Sequence, residues 1–454
     1  MRNDLDCAVI GAGVSGLAVA TFMAESGLEV AVFERAAAPG GVISSRTQEG
    51  FAFELGPNTV LGGRPEIERL IAGSGLAHRL LVASEKAVRW LWLDGRLQAL
   101  PMSPPAFVAS RVFTVGEKLR LLKEPFVGRA AGDDESVASF VRRRLGEGFL
   151  RKAAGPFVSG IYAGDPERIS MRYGLRRLHA IVAEHGSLLR GALARGSGGA
   201  PKGRMISFPT GLAELTGALG RGLGARLHLG AEVAGVEPVA AGFRVVLGGE
   251  SVAARQVVMA VDVPAAAALL APLGASEARA FAAIPMAPLA VVFTGWRREQ
   301  VRFPVAGFGF LAPRGEGLSV LGAVFGSALF PGRAPEGTVA ITCFLGGALE
   351  PELVARDDKL VLDRAVADLE RVLGVRGTPI VASVARWSPG LPQYNLGHGA
   401  VVAAAAALEA RYPGLHLAGN FVHGVSVPDC AETAACVAAR VVARSVASNA
   451  THRA

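Results

Sequence analysis

Apolar residues fill positions 5–10 with a single interruption at Asp6, and a glycine-rich stretch follows at 11–16. Residues 17–26 are apolar at helical spacing, and 29–33 form a second short apolar run. That order predicts strand, turn, helix and parallel strand, a βαβ unit. Residues 90–100 hold two strand-like runs around Asp94-Gly95, the dipeptide of a type I′ hairpin. From 101 to 195 the spacing turns helical, with Val137, Phe140, Val141, Leu145 and Phe149 on one face. A glycine-rich linker is expected at 196–203. Short strands are predicted over 228–261, longer ones over 289–344, and a helix over 357–373. The chain then predicts a strand at 415–418, a loop at 419–428 and a helix over 429–446. There is no internal repeat, and 403–407 is the one low-complexity run.

A length of 454 residues allows about three domains. With 51% hydrophobic and 19% charged residues, a disordered chain is excluded. Mean hydropathy is +0.37, yet the most apolar stretch, 255–275, is broken by Asp262, Pro264 and Pro272, so no spanning helix is expected. Asp4 and Asp6 spoil the basic region that a signal peptide would need. Cys7, Cys343, Cys430 and Cys436 form no C-x-x-C pair, and the eight histidines show no ligand spacing. Free thiols in a reducing cytoplasm are expected, with no metal site. Net charge is +8, and residues 111–200 alone carry 16 Lys/Arg against 9 Asp/Glu. This segment has neither zinc-finger spacing nor an aromatic RNA-binding strand, so no nucleic acid is expected; anionic lipid headgroups or an acidic small molecule fit it better.

Gly11, Ala12, Gly13, Val14, Ser15 and Gly16 join the first strand to its helix, and Glu34 closes the next strand. The first glycine permits a tight turn, the second lets backbone N–H groups approach a pyrophosphate, and the third lets helix and strand pack. Glu34 is placed to accept from a ribose hydroxyl. Two more backbone-exposing turns follow, Pro39-Gly40-Gly41 and Glu54-Leu55-Gly56-Pro57-Asn58. Main chain laid along a long, extended ligand suits FAD better than a nicotinamide cofactor. At the far end, Gly419-Asn420 follows a strand, and Val425, Ser426 and Val427 precede Pro428 and Asp429 at a helix start. A helix N-terminus there would stabilise negative charge on a reduced flavin.

Taken together, GAGVSG at 11–16, ELGPNT at 54–59, PMSPPAFVAS at 101–110, SGIYAGDPERIS at 159–170, GFGFLAP at 307–313, LPQYNLGH at 391–398 and LAGNFVHGVSVPDC at 417–430 resemble the oxygen-dependent protoporphyrinogen oxidases. These are flavoenzymes related in fold to the monoamine oxidases. The resemblance implies an α/β fold: a discontinuous FAD-binding Rossmann-like domain (1–76, 204–274, 386–454), a mixed β-sheet substrate domain (77–100, 275–385), and an inserted α-helical membrane-associating domain (101–203). It also implies that FAD dehydrogenates a porphyrinogen in two-electron steps and that molecular oxygen is the acceptor, giving hydrogen peroxide.

Carried over by the resemblance, Arg89 faces a substrate propionate, Gly160 offers its carbonyl to the pyrrole N–H groups, and Phe308, Leu311 and Phe344 bracket the macrocycle. By strand alternation Arg89 shares a face with Leu91 and Leu93. The flavin contacts implied are Gly11 through Gly16, Glu34, Arg35, Gly41, Val42, Gly56, Pro57, Asn58, Thr59, Val233, Trp387, Gly419, Val425, Ser426 and Val427. Relatives carry Lys, Arg or Trp where this chain has Val42, so contact there is expected through the backbone. The family's helical insertion docks on membranes, which agrees with the local positive charge and implies peripheral attachment at the cytoplasmic face. A homodimer is compatible with the resemblance. Coproporphyrinogen is the alternative substrate; an amine oxidase or a non-catalytic flavoprotein carrier is less favoured.

Overall fold

A computed structural model of the chain describes residues 5–128, 132–195 and 203–451. The linker expected at 196–203 lies, apart from Gly203, outside the described residues. Two seven-stranded sheets organise the rest. In the first, Leu5–Ile10 lies between two parallel neighbours, Val30–Glu34 and Ser251–Met259. Leu227–Leu229 extends it beyond Val30–Glu34, and Leu415–Leu417 pairs in parallel with the last residues of Ser251–Met259. The opening residues of that same strand instead hold the antiparallel Gly242–Leu247, which pairs with Val233–Val239. One sheet is thus assembled from three separated stretches of chain. Its central strands are buried on both faces, and this is why they read as continuous apolar runs. Val9, Val32 and Val258 pack under helices Val14–Glu25 and Val427–Thr451; Ala8, Ile10 and Met259 pack under Val263–Leu270, Ala275–Ala282 and Gly399–Arg411.

The second sheet runs in the order Val381–Pro392, Met286–Arg297, Thr338–Gly346, Val320–Phe325, Gly309–Leu311, Arg89–Leu93, Arg96–Ala99. Asp94 (φ 54°) and Gly95 (φ 73°) both take the left-handed conformation that the predicted hairpin turn requires. One face carries Trp92, Val292, Trp296, Phe310, Ile341 and Cys343 and packs on helix Asp358–Leu373. Asp357 starts that helix by accepting the N–H of Leu360 at 2.8 Å, and Gly374 (φ 65°) ends it. Alternation therefore puts Arg89, Leu91, Leu311, Gly322, Phe344, Leu289 and Trp387 on the opposite face.

Two elements cross the expected domain divisions. Strand Val381–Pro392 passes through residue 386, and helix Ala275–Ala282 sends Phe281 into the core beneath the first sheet. The described residues of 101–195 are mostly helical, as expected, although the single apolar face from Val137 to Phe149 is broken. Helix Val137–Arg144 stops before Gly146 (φ 93°), and Phe149 lies on the next short turn. A buried pair, Arg144 to Glu124 at 2.6 Å, joins this helix to residues 124–126. The Glu124 carboxylate also accepts the N–H groups of Leu188 and Leu189, which start helix Leu188–Arg195. Burial pushes its carboxyl up, but the Ser187 hydroxyl, these two N–H groups and Arg144 together hold it below the usual glutamate range. Among the described residues no helix is long and apolar enough to cross a membrane.

Candidate functional site

The turn after the first strand shows a separate steric reason for each glycine. Gly11 has φ +97°, and a Cβ there would lie 2.6 Å from the carbonyl oxygen of Ala260. At Gly16 a Cβ would lie 1.9 Å from the carbonyl oxygen of Gly11, so only glycine lets the helix close onto the turn. Gly13 is different: nothing lies within 4 Å of its would-be Cβ. It begins helix Val14–Glu25 with no side-chain cap and no acidic residue in the first turn. The helix thus begins without a side-chain cap beside open space at Gly13, the kind of helix start that can hold a pyrophosphate. Glu34 fixes the turn by accepting the Ala12 N–H at 2.7 Å, while Arg35 turns aside to Asp262 at 3.1 Å.

Main chain continues this groove without a break. Gly40 bridges to Gly13 and donates to the Ala12 carbonyl at 2.8 Å, and a Cβ on Gly41 would lie 3.3 Å from the Cα of Gly13. Val42 leaves 48% of its surface exposed. Its carbonyl oxygen stands 1.9 Å from where a Cβ on Gly56 would be, so the second and third turns touch. Asn58 donates to the Gly56 carbonyl at 3.1 Å, and Trp387 donates from its indole to the Leu55 carbonyl at 2.5 Å. Pro57 lies between them, and Thr59 reaches Met205. Trp387 thereby joins the glycine turns to the open face of the second sheet.

At the other terminus, Val427 packs in the same core cluster as Val14, bringing the last helix against the first turn. Ser426 begins that helix: its Oγ accepts the Asp429 N–H at 3.2 Å and donates to the Asp429 carboxylate at 2.6 Å. The helix starts at Val427, two residues earlier than the sequence pattern suggests. Val425 packs on the helical insertion, and Gly419 is held close under the Phe421 ring. Val233 opens the outermost strand, two residues after Ala231 donates to the Glu34 carbonyl at 2.8 Å. It sits at the Glu34 end of the groove, away from Val425 and Trp387.

The face of the second sheet that Trp387 joins to these turns is mostly apolar, and part of it is left open. Phe344, on a central strand, is still partly exposed, as are Leu311 and Phe308. Gly160 closes one wall: a Cβ there would meet Leu311 at 2.7 Å. Its helix, Gly155–Tyr162, buries Val158 and Tyr162 and leaves Phe157 and Ile161 more than 40% exposed. These two residues were not singled out by the sequence; their apolar spacing looks like core, and only the packing shows them facing outward. Arg89 contacts Met102 Sδ at 3.7 Å and stands over the Phe308 ring at 5.4 Å. Among the described residues it has no carboxylate partner. The described residues contain no group of His, Cys, Asp or Glu that could hold a metal ion.

Two buried histidines give the protein an acid-side sensitivity. His398 and His416 are 4% and 7% exposed, and burial pushes each pKa down to about 4. The unfolded chain binds a proton near pH 6.5, so each histidine's contribution is present in full above that pH and is lost as pH falls towards 4. A shift of that size corresponds to about 3 kcal/mol per histidine. Urea denaturation at pH 7 and pH 4.5 is expected to show the loss, and His416→Gln should flatten it; an unchanged slope contradicts this account.

The chain matches the flavin containing amine oxidoreductase family over residues 14–442. It is 32% identical to the chloroplastic protoporphyrinogen oxidase of Oryza sativa subsp. japonica, across 95% of this chain and 87% of that protein. It is 26% identical to the coproporphyrinogen III oxidase of Bacillus subtilis (strain 168), across 93% and 94%. The crystal structure of an Exiguobacterium sp. 255-15 protein, provisionally assigned as a protoporphyrinogen oxidase, superimposes with a TM-score of 0.82 at 23% identity, covering 97% of this chain and 99% of that one. The chain belongs to the flavin containing amine oxidoreductases and, within them, to the protoporphyrinogen oxidase family. Its cofactor is FAD, and the groove fits that group: open space at an uncapped helix start, then main chain alone along three successive turns.

Proposed function

We propose that the protein is an FAD-dependent oxidase converting protoporphyrinogen IX to protoporphyrin IX, with molecular oxygen as acceptor and hydrogen peroxide as by-product. The observation that carries this reading is Arg89: an arginine without a carboxylate partner on a mostly apolar sheet face that Trp387 joins to the glycine turns. A flat apolar macrocycle with carboxylate arms at its rim answers both features. Bound FAD supplies the two-electron acceptor. The chain's own part is binding and orientation. Phe344, Leu311 and Phe308 offer apolar surface to the ring, Gly160 lets the helix backbone come close, and Arg89 fixes one carboxylate. Phe157 and Ile161 extend the apolar wall and exclude water.

Supplying protoporphyrinogen and coproporphyrinogen separately and following porphyrin fluorescence against the non-enzymatic background tests activity and substrate together. The Bacillus subtilis relative keeps coproporphyrinogen as a second reading. The protoporphyrinogen oxidase of Oryza sativa subsp. japonica is the more similar of the two relatives, at 32% against 26% identity, and this favours the substrate with fewer carboxylates. Arg89→Leu is expected to raise KM about tenfold to a hundredfold with little change in kcat, the value of one charge-assisted hydrogen bond. A KM unchanged from wild type removes Arg89 from the site.

The helical insertion supports peripheral membrane docking at the cytoplasmic face. Val115, Leu119, Leu122 and Phe126 are exposed by 72%, 56%, 62% and 83%, with Lys118, Arg120 and Lys123 interleaved. An apolar stripe flanked by cations binds anionic headgroups without crossing the bilayer. Flotation with phosphatidylserine vesicles should show binding at low salt that weakens at high salt, and Leu119→Asp with Phe126→Asp should reduce it more than tenfold. No flotation at low salt ends the idea.

A further inference from the structure

Residues 391–398 lead from the second sheet into helix Gly399–Arg411, and Pro392, Gln393, Tyr394 and His398 among them are buried. The backbone of this segment is tied down along its length. Gln393 N donates to the Pro285 carbonyl, Ser170 N donates to the Tyr394 carbonyl, and Leu396 N donates to the Arg168 carbonyl, each at 2.8 Å. Two neighbouring side chains then leave it for different walls. The Gln393 amide, on a residue 2% exposed, donates from Nε2 to the carbonyl of Tyr162 at 2.8 Å. Tyr162 is the last residue of the helix that carries Gly160. The Tyr394 hydroxyl donates to the Asn420 carbonyl at 2.7 Å and accepts the Gly424 N–H at 2.7 Å.

The second contact pair matters because residues 418–426 belong to no helix or strand. Tyr394 spans the turn from Asn420 to Gly424 with one oxygen, immediately before Val425, Ser426 and Val427. Its ring is fixed in turn by His398, with centroids 4.1 Å apart. Burial pushes the phenol pKa far up, so the hydroxyl remains a donor at any working pH.

We infer that Gln393 and Tyr394 are positioning residues on one buried strap, Gln393 setting the helix wall that faces substrate and Tyr394 setting the loop that faces FAD. The substrate half rests on the porphyrinogen reading above; the cofactor half needs only FAD binding.

The test titrates apo-protein with FAD and records the visible flavin spectrum, then measures steady-state kinetics. Tyr394→Phe keeps the ring and leaves Asn420 and Gly424 unpaired, so the FAD dissociation constant should rise about tenfold with a shifted flavin band. Tyr412→Phe removes a comparable hydroxyl bond, to the Leu273 carbonyl at 2.8 Å, and should leave both readouts unchanged. Gln393→Met should raise KM about tenfold at unchanged FAD affinity. If Tyr394→Phe does not fold, His398→Leu carries the same FAD test, since it removes the ring on which Tyr394 rests. FAD affinity and spectrum equal to wild type in the Tyr394 or His398 variant overturn the cofactor half. A wild-type KM in Gln393→Met overturns the substrate half. Wild-type protein that oxidises no porphyrinogen refutes the functional reading instead, and the FAD titration still decides the role of Tyr394.

Discussion

Arg333→Leu is expected to cost about 3–5 kcal/mol of stability and to weaken FAD binding with it. The guanidinium is 3% exposed and lies 3.0 Å from Glu54, itself 2% exposed. It also donates to Ser207 Oγ at 2.5 Å and to the Ala52 carbonyl at 3.3 Å. The Glu54 carboxylate collects the Ser45 hydroxyl at 2.5 Å and the Leu212 N–H at 3.0 Å. Burial pushes its pKa up, and Arg333 with these donors pulls it back. Without Arg333 the carboxylate stays in the interior with its principal counter-charge gone. Glu54 also stands directly before Leu55 and Gly56, so any movement that relieves it displaces the third glycine turn. Glu54→Leu combined with Arg333→Leu should recover most of the lost stability, because an empty apolar pair costs less than an orphaned charge. Urea denaturation of the single and double variants checks this. A single-variant loss under about 1 kcal/mol would show that the pair does not anchor the turn that follows Glu54.

That ion pair shows where sequence stops being legible. Glu54 and Arg333 are 279 residues apart, and neither periodicity nor turn chemistry relates them. Local features fared differently. The first strand occupies residues 5–10 as its apolar run suggests, and the hairpin forms at Asp94-Gly95, because both depend on neighbours in the chain. The face shared by Arg89, Leu91 and Leu93 follows from alternation alone. Strand Val381–Pro392 was missed for a physical reason: Pro389 and Gly390 read as breakers, but this is an edge strand, where a missing N–H is tolerated. The alanine run 403–407 is the middle of helix Gly399–Arg411, whose small side chains give no polar contrast to betray a period. Helix Gly155–Tyr162 hides its exposed face in the same way. Phe157 and Ile161 are as apolar as Val158, and which of them faces the open space is decided only by the elements packed around the helix.

Gly13→Ala and Gly16→Ala, three residues apart, are expected to fail in opposite ways. At Gly16 the added carbon would sit 1.9 Å from the Gly11 carbonyl oxygen. Gly11 cannot retreat: its N–H is bonded to the Phe33 carbonyl at 2.8 Å, and the Ala260 carbonyl occupies the space on its other side. Helix Val14–Glu25 would have to lift away from the sheet and from helix Val427–Thr451, opening the core that both share. Backbone-to-backbone overlap of this kind should cost on the order of 4 kcal/mol, so Gly16→Ala is expected to be poorly folded even without ligand. At Gly13 the backbone is already in a conformation open to any residue (φ −68°), and the added carbon meets no protein atom. Apo Gly13→Ala should therefore melt within about 1 kcal/mol of wild type, the small loss reflecting alanine's weakness at a helix start. Its FAD affinity should nevertheless fall at least a hundredfold, on the order of 3 kcal/mol, because the carbon fills the space where pyrophosphate oxygens approach the N–H groups. Apo-protein melting and FAD titration on both variants separate the two effects. A Gly13→Ala protein that still takes up FAD at wild-type affinity would mean that the open space above the helix start is not where the dinucleotide lies.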